Sequence, residues 1–254
     1  MKPARTLVLV VLLATALGCV PKSITIQLDA KPNQIGESIV MRDARGGPKI
    51  AQIDLTGVIS SASTSPFGSA AMIDDFAAMI AKAERDPQVK AVLLRINSPG
   101  GSVAASETIA TLIESFKERT GKPVVASMAE VAASGGYYTA IAADHIIAQP
   151  STITGSIGVI VPTLNFSGGL AKLGIVSRSV TSGKNKDIAN PMQPINEAHY
   201  EILQGIVDEF YEDFRSRVLA ARPGIQDPDG VLDGEVYTGR TALELGLVDE
   251  LGGI

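Results

Sequence analysis

From Lys49 onward the apolar positions switch between unbroken runs suited to buried strands and the three-to-four spacing of helices. Ile50-Ala-Gln-Ile-Asp-Leu-Thr-Gly-Val-Ile59 reads as a strand, and Met72 to Ala83 as a helix. Val89 to Ile96 is a buried strand ending at Asn97-Ser-Pro-Gly-Gly101. A helix follows through Phe116, with Ile109, Leu112, Ile113 and Phe116 on one stripe. Next come a strand over Pro123 to Met128, a helix beginning near Ser134 and a short strand around Ile146. Strands alternating with helices predict an α/β layer architecture in which the strands are largely buried.

Farther along, Ile202, Ile206, Phe210 and Phe214 recur every fourth residue, joined by Leu203, Val207 and Val218. This spacing predicts a long amphipathic helix whose apolar face is read as packed on the core, the alternative being a dedicated partner-binding face. A Pro- and Asp-rich stretch from Arg222 to Asp229 follows, and Gly234 to Arg240 leads into a short helix ending at Gly246. Residues 20 to 48 lack sustained periodicity apart from Ser23-Ile-Thr-Ile-Gln-Leu28, and read as a tether plus an edge strand. The organisation expected is a leader over 1–18, a tether over 19–48 and one domain over 49–254.

The leader has Lys2 and Arg5, an apolar run from Leu7 to Leu13, then small residues up to Cys19. This is the pattern of an export signal, and its apolar run is shorter than the roughly 20 residues a spanning helix needs. A cysteine directly after Gly18 resembles the bacterial lipoprotein cleavage motif, which would lipidate Cys19 and attach the chain to the cell membrane. Ala14-Thr-Ala16 offers an ordinary cleavage site instead, and a leader retained uncleaved as an anchor is the third option. Cys19 is the chain's one cysteine, so no disulfide forms within the chain. The formal charge is -5, and without Lys2 and Arg5 it is -7. A net acidic chain without a basic cluster speaks against nucleic-acid binding. The Asp and Glu residues are scattered and form no ligand pattern, so neither a metal nor an organic cofactor is expected.

Candidate chemistry centres on Ser134, between small residues in Val131-Ala-Ala-Ser-Gly-Gly-Tyr-Tyr138. The chain has two histidines, His145 in a short strand and His199 in the polar Asn196-Glu-Ala-His-Tyr200 at a helix start. Neither is in a glycine-rich turn, and both read as structural or solvated. If Ser134 is a nucleophile, its base is therefore a lysine, and Ser182-Gly-Lys-Asn-Lys-Asp-Ile188 supplies Lys184 and Lys186. A solvated lysine, with a pKa of about 10.4, is protonated at neutral pH and cannot take a proton from a hydroxyl. Burial must neutralise it, and a hydroxyl such as that of Ser156, in Thr154-Gly-Ser-Ile-Gly-Val159, would orient the neutral amine. Ser98-Pro-Gly-Gly-Ser102 lies between a strand and a helix, where its amides suit an oxyanion, although such a glycine pair also serves simply as a tight turn. The Gly135 amide would be a second donor.

Arg95-Ile-Asn-Ser-Pro-Gly-Gly-Ser-Val-Ala104, Ala133-Ser-Gly-Gly-Tyr-Tyr-Thr-Ala140, Thr154 to Val159, Ser182 to Ile188 and Val236-Tyr-Thr-Gly-Arg-Thr-Ala242 occur in the order found in the signal peptide peptidase A family of bacterial serine peptidases. The chain resembles that family over residues 50 to 253. The resemblance implies a Clp protease/crotonase-like fold of repeated ββα units with a C-terminal helical segment, and a Ser-Lys dyad. Carried over, Ser134 matches the nucleophile, Lys186 the general base, Ser156 the orienting hydroxyl, and Gly101 and Gly135 the oxyanion donors. Lys186 is preferred to Lys184 because it directly precedes Asp-Ile, as the family's lysine does. His145 stands where relatives often carry lysine. The resemblance also implies a homo-oligomeric ring that completes the dyad between subunits, and substrates that are signal-peptide remnants or unfolded proteins at the membrane. Two other functions fit the same fold. One is a crotonase-type acyl-CoA enzyme, which an export signal disfavours because acyl-CoA is cytoplasmic. The other is a catalytically silent scaffold that binds peptides.

Overall fold

The computed structural model describes residues 48–62 and 72–253. The export signal, Cys19, the tether and the strand expected at Ser23 to Leu28 lie outside the described residues. Parallel strands β1 (Lys49–Thr56), β2 (Val89–Ser98), β3 (Val124–Ala133), β4 (His145–Ala148) and β7 (Glu250–Leu251) lie side by side in that order. Two short strands complete the sheet. β5 (Ile153–Gly155) pairs parallel with the far end of β3, and β6 (Val236–Thr238) pairs antiparallel with β5. Helices α1 (Met72–Arg85), α2 (Val103–Thr120) and α3 (Gly135–Ala140) connect the first four strands, giving the expected α/β class. The remaining helices are α4 (Ser167–Lys172), α5 (Glu197–Ala221), α6 (Pro228–Val231) and α7 (Gly239–Glu244). Among the described residues no helix is long and apolar enough to cross a membrane.

β2 lies between β1 and β3. Val92, Leu94 and Ile96 are fully buried on one face and the alternate residues half-buried on the other, as expected of a strand covered on both sides. The stripe on α2 lies as its spacing predicts, with Ile109, Ile113 and Phe116 buried and Leu112 packed at the margin. The helix runs a turn beyond Phe116 and stops at Gly121, whose left-handed backbone closes it with a hydrogen bond to the Lys117 carbonyl. β1 stops short of the sequence expectation, because the chain leaves the sheet at Gly57 (φ 91°) and touches it again only where Ile59 bridges Gly101. β3 continues past Met128 because its last residues pair with β5, a tertiary interaction with no local periodicity.

One expectation fails. α5 forms where predicted, with Asn196 as N-cap accepting from the Ala198 amide, but its stripe is only half used. Phe214 and Val218 are buried, whereas Ile202, Ile206 and Phe210 remain 41%, 39% and 38% exposed. The C-terminal half of the helix packs on α3, where the Phe214 and Tyr138 rings meet at 5.0 Å and the Arg217 guanidinium sits 4.8 Å over the Tyr138 ring. The N-terminal half packs no apolar side chain on the core. Between Ile157 and Phe214 no hydrophobic side chain joins the buried core.

α3 is also fastened from the other side. Tyr137 is fully buried and its hydroxyl donates to the Leu247 carbonyl at 2.9 Å. Burial pushes the phenol above its ordinary pKa, so it stays a neutral donor. Tyr137→Phe leaves that carbonyl unpaired, and urea denaturation is expected to register a loss of about 1 to 3 kcal/mol. An unchanged midpoint would mean that the C-terminal segment does not depend on this bond.

Candidate active site

Two turns meet at the C-terminal edge of the sheet. The first follows β2, where Pro99, Gly100 and Gly101 lead into α2. Its backbone is pinned on both sides of Gly101. The Gly100 N–H donates to Ser98 Oγ at 3.1 Å, the Ile59 N–H donates to the Gly100 carbonyl, and the Ser102 N–H donates to the Ile59 carbonyl, the last two at 2.9 Å. Ser102 caps α2 by accepting from the Ala105 amide. The Gly101 N–H meets no acceptor among the described residues.

The second turn follows β3. Ser134 has φ 52° and ψ -119°, a conformation that L-residues with a Cβ rarely adopt. It is held there from both ends, since its N–H donates to the Gly155 carbonyl and its own carbonyl accepts from Tyr138, both at 2.9 Å. The sharp strand-to-helix turn turns the side chain away from the helix it begins. Ser134 is in the N-cap position of α3, yet its hydroxyl makes no capping bond. The half-buried hydroxyl is unclaimed, and so is the N–H of buried Gly135 behind it.

These turns are packed backbone to backbone. A Cβ on Gly100 would stand 2.7 Å from the Gly135 nitrogen and 2.9 Å from Ser134 Cβ, and its φ of 99° already excludes most other residues. A Cβ on Gly101 would overlap the Ile59 carbonyl, and one on Gly135 would overlap Ser106 Oγ. The nucleophile candidate and both donor candidates are thereby brought together. Two free N–H groups beside a free hydroxyl can hold an oxyanion formed when that hydroxyl attacks a carbonyl. Ser156 is a neighbour of the same site, because Ala133 pairs with Gly155 across β3 and β5. Its φ is 51°, and its N–H donates to the Glu235 carbonyl at 2.6 Å.

Ser98 and Ser106 escaped pattern reading. Both are buried hydroxyls supporting the two turns, Ser98 through Gly100 and Ser106 by donating to the Ser102 carbonyl at 3.0 Å while packing against Gly135. The available signal was Ser106 lying three and seven residues before Ile109 and Ile113, a hydroxyl on an otherwise apolar stripe.

Lys186 is not brought in. The mechanism read from the sequence needs it buried, but in the single chain it is exposed, as is Lys184, and its amine bonds neither Ser134 nor Ser156. It belongs to an arm, residues 157–196, whose hydrogen bonds among the described residues all go to partners within 157–200. Phe166 bonds Pro191, Asn165 bonds Gln193, and Asn190 bonds Ser179. The arm exposes Ile160, Leu164, Leu173, Val176, Val180 and Ile195. Of the histidines, His145 lies on the surface near Asp249 and Glu250, while His199 is buried, a structural and not a solvated residue.

The sequence matches the pattern of Peptidase family S49 over residues 117–254 and that of Clp protease over residues 66–158. The second match, with the mainly parallel sheet, makes the fold one of the Clp protease type. A protein of Methanocaldococcus jannaschii that carries a provisional protease name is 41% identical over 170 residues, which is 66% of this chain and 54% of that protein. One of Synechocystis sp. with the same kind of name is 38% identical over 80% of this chain and 70% of its own length. One of Enterococcus faecium, provisionally named signal peptide peptidase SppA, is 35% identical over 87% of this chain and 64% of its own length. The chain thus spans 54% to 70% of the length of these relatives.

The strain at Ser134 is measurable without any substrate. Ser134→Gly removes the Cβ from an unfavourable backbone conformation, and calorimetry is expected to find the variant more stable by about 1 kcal/mol. A less stable variant would show that the turn is not strained.

Proposed function

The chain belongs to the serine peptidases of family S49, and on that footing we propose that it is an endopeptidase working by an acyl-enzyme on Ser134. The observation that carries this reading is the unclaimed Ser134 hydroxyl on a strained turn, flanked by the unclaimed N–H groups of Gly101 and Gly135. Neutral Lys186 takes the hydroxyl proton as Ser134 Oγ bonds to the peptide carbonyl carbon. Gly101 and Gly135 donate to the oxyanion, and the C–N bond breaks as the lysine returns the proton to the leaving amine. Lys186 then takes a proton from the water that hydrolyses the ester, with Ser156 orienting the amine.

Because Lys186 is exposed in one chain, the base for each Ser134 comes from a neighbouring copy in a homo-oligomeric ring. Two features support this. The lysine requires desolvation to act as a base, and an interface supplies it. The arm and the first half of α5 also expose more apolar side chains than an unpartnered surface element needs. The substrates are signal-peptide remnants and unfolded segments, in keeping with the name of the Enterococcus faecium relative. The protein works at the membrane, attached through its N-terminal leader or a lipid on Cys19.

Hydrolysis of a signal-peptide mimic and of unfolded casein tests the dyad. Ser134→Ala and Lys186→Ala are expected to be inactive and Lys184→Ala active, whereas equal rates in all variants would mean a contaminating protease or a different site, and peptide binding without turnover even in the wild type would favour the silent scaffold. Mixing the two inactive variants, unfolded and reassembled together, tests the shared site. A random ring holds an intact Ser134 facing an intact Lys186 at about a quarter of its interfaces, so about a quarter of wild-type turnover is expected. No recovery would place both groups in one chain.

A further inference from the structure

His199 is the one residue between Ile157 and Phe214 that is buried, at 7% exposure, in a stretch of chain where every large apolar side chain remains at least partly in solvent. Its Nε2 lies 3.1 Å from the Lys184 carbonyl oxygen. A carbonyl has only lone pairs, so Nε2 carries the hydrogen and donates it. On the other side the ring is rooted in the first turn of α5, where the His199 N–H bonds the Asn196 carbonyl at 3.0 Å. The loop it reaches is a succession of tight turns, with Lys186 N–H donating to the Gly183 carbonyl and Ile188 N–H to the Asn185 carbonyl. Beneath that loop is a cavity of about 210 Å³ lined by Lys184, Asp187, Asn190, Asn196, His199 and Tyr200. The loop therefore has a hollow and not a packed core behind it. The bond to Lys184, two residues before the proposed base, ties the loop to α5.

We propose that His199 is a positioning residue for the reaction, a strut from the first turn of α5 that sets where Lys186 presents its amine. The inference rests on the reading of Lys186 as the base. It assigns the imidazole no proton-transfer step, and only the donor at Nε2 is needed.

The test compares the full chain with His199→Phe, which keeps a ring of similar size without the donor, and His199→Gln, whose amide can reach the same oxygen. Thermal midpoint and oligomeric state are measured alongside, and Lys186→Ala is run in parallel. Expected are a fall in kcat of between about tenfold and a hundredfold for His199→Phe, with KM changed less than about twofold, and recovery of most of kcat in His199→Gln. If His199→Phe fails to assemble, His199→Asn, whose amide is too short to reach Lys184, replaces it and is read in the same way. Wild-type kcat without the donor, or equal losses in the donor-bearing and donor-less variants, overturns the strut. A Lys186→Ala variant that turns over normally instead overturns the base assignment, which separates the two failures.

Discussion

The backbone of the Gly100 turn lies against the backbone of the Ser134–Gly135 turn with no room for a side chain between them, and the rest of the site is arranged around that contact. It aligns two amide N–H groups beside one hydroxyl without spending side chains on the task. It also requires supports on every flank. Ser98 holds the Gly100 amide, Ile59 holds the residues on either side of Gly101, Gly155 holds Ser134, and Ser106 fills the space next to Gly135. Backbone groups fixed in this manner need no rearrangement when charge develops on a substrate oxygen, which is the condition under which such donors are most effective.

The described chain has two parts of different character. The sheet with α1, α2 and α3 is a conventionally packed core, closed by the second half of α5 and by the segment around Leu247 and Val248. The arm and the first half of α5 hold themselves together by hydrogen bonds while their apolar side chains face outward. Ser134, Gly101 and Gly135, the candidate nucleophile and donors, reside in the first part, and Lys186, the candidate base, in the second. Under the proposed mechanism the chemistry would depend on how a weakly packed element is placed against a strongly packed one.

Much of the core was legible because its elements obey a local period. β2 is a continuous apolar run and α2 has one stripe, and both fold as read. The positions of Ser134, Gly101 and Gly135 were also readable, since small residues between a strand and a helix allow few arrangements. The far half of β3 was hidden, because Ala129-Glu-Val-Ala-Ala133 gains its strand character from β5 and not from its own pattern. The α5 stripe misled for a related reason. A period of four says that a face will be covered, and Ile202, Ile206 and Phe210 show that the cover need not come from the same chain. The burial of Lys186 was inferred from what its chemistry would demand, and chemistry fixes a requirement without fixing which molecule meets it.

The bond from Tyr137 to Leu247 joins residues 110 positions apart, and β4 and β7 pair over a similar span. Contacts that distant form late, since the loop they close must be ordered first. As the chain emerges during synthesis, β1 to β3 can assemble while α3 still lacks the partner that fastens it. The helix that begins after Ser134 is therefore fastened on its far side only when the region around residue 250 has arrived, whereas Gly155 can hold the strained turn itself much earlier.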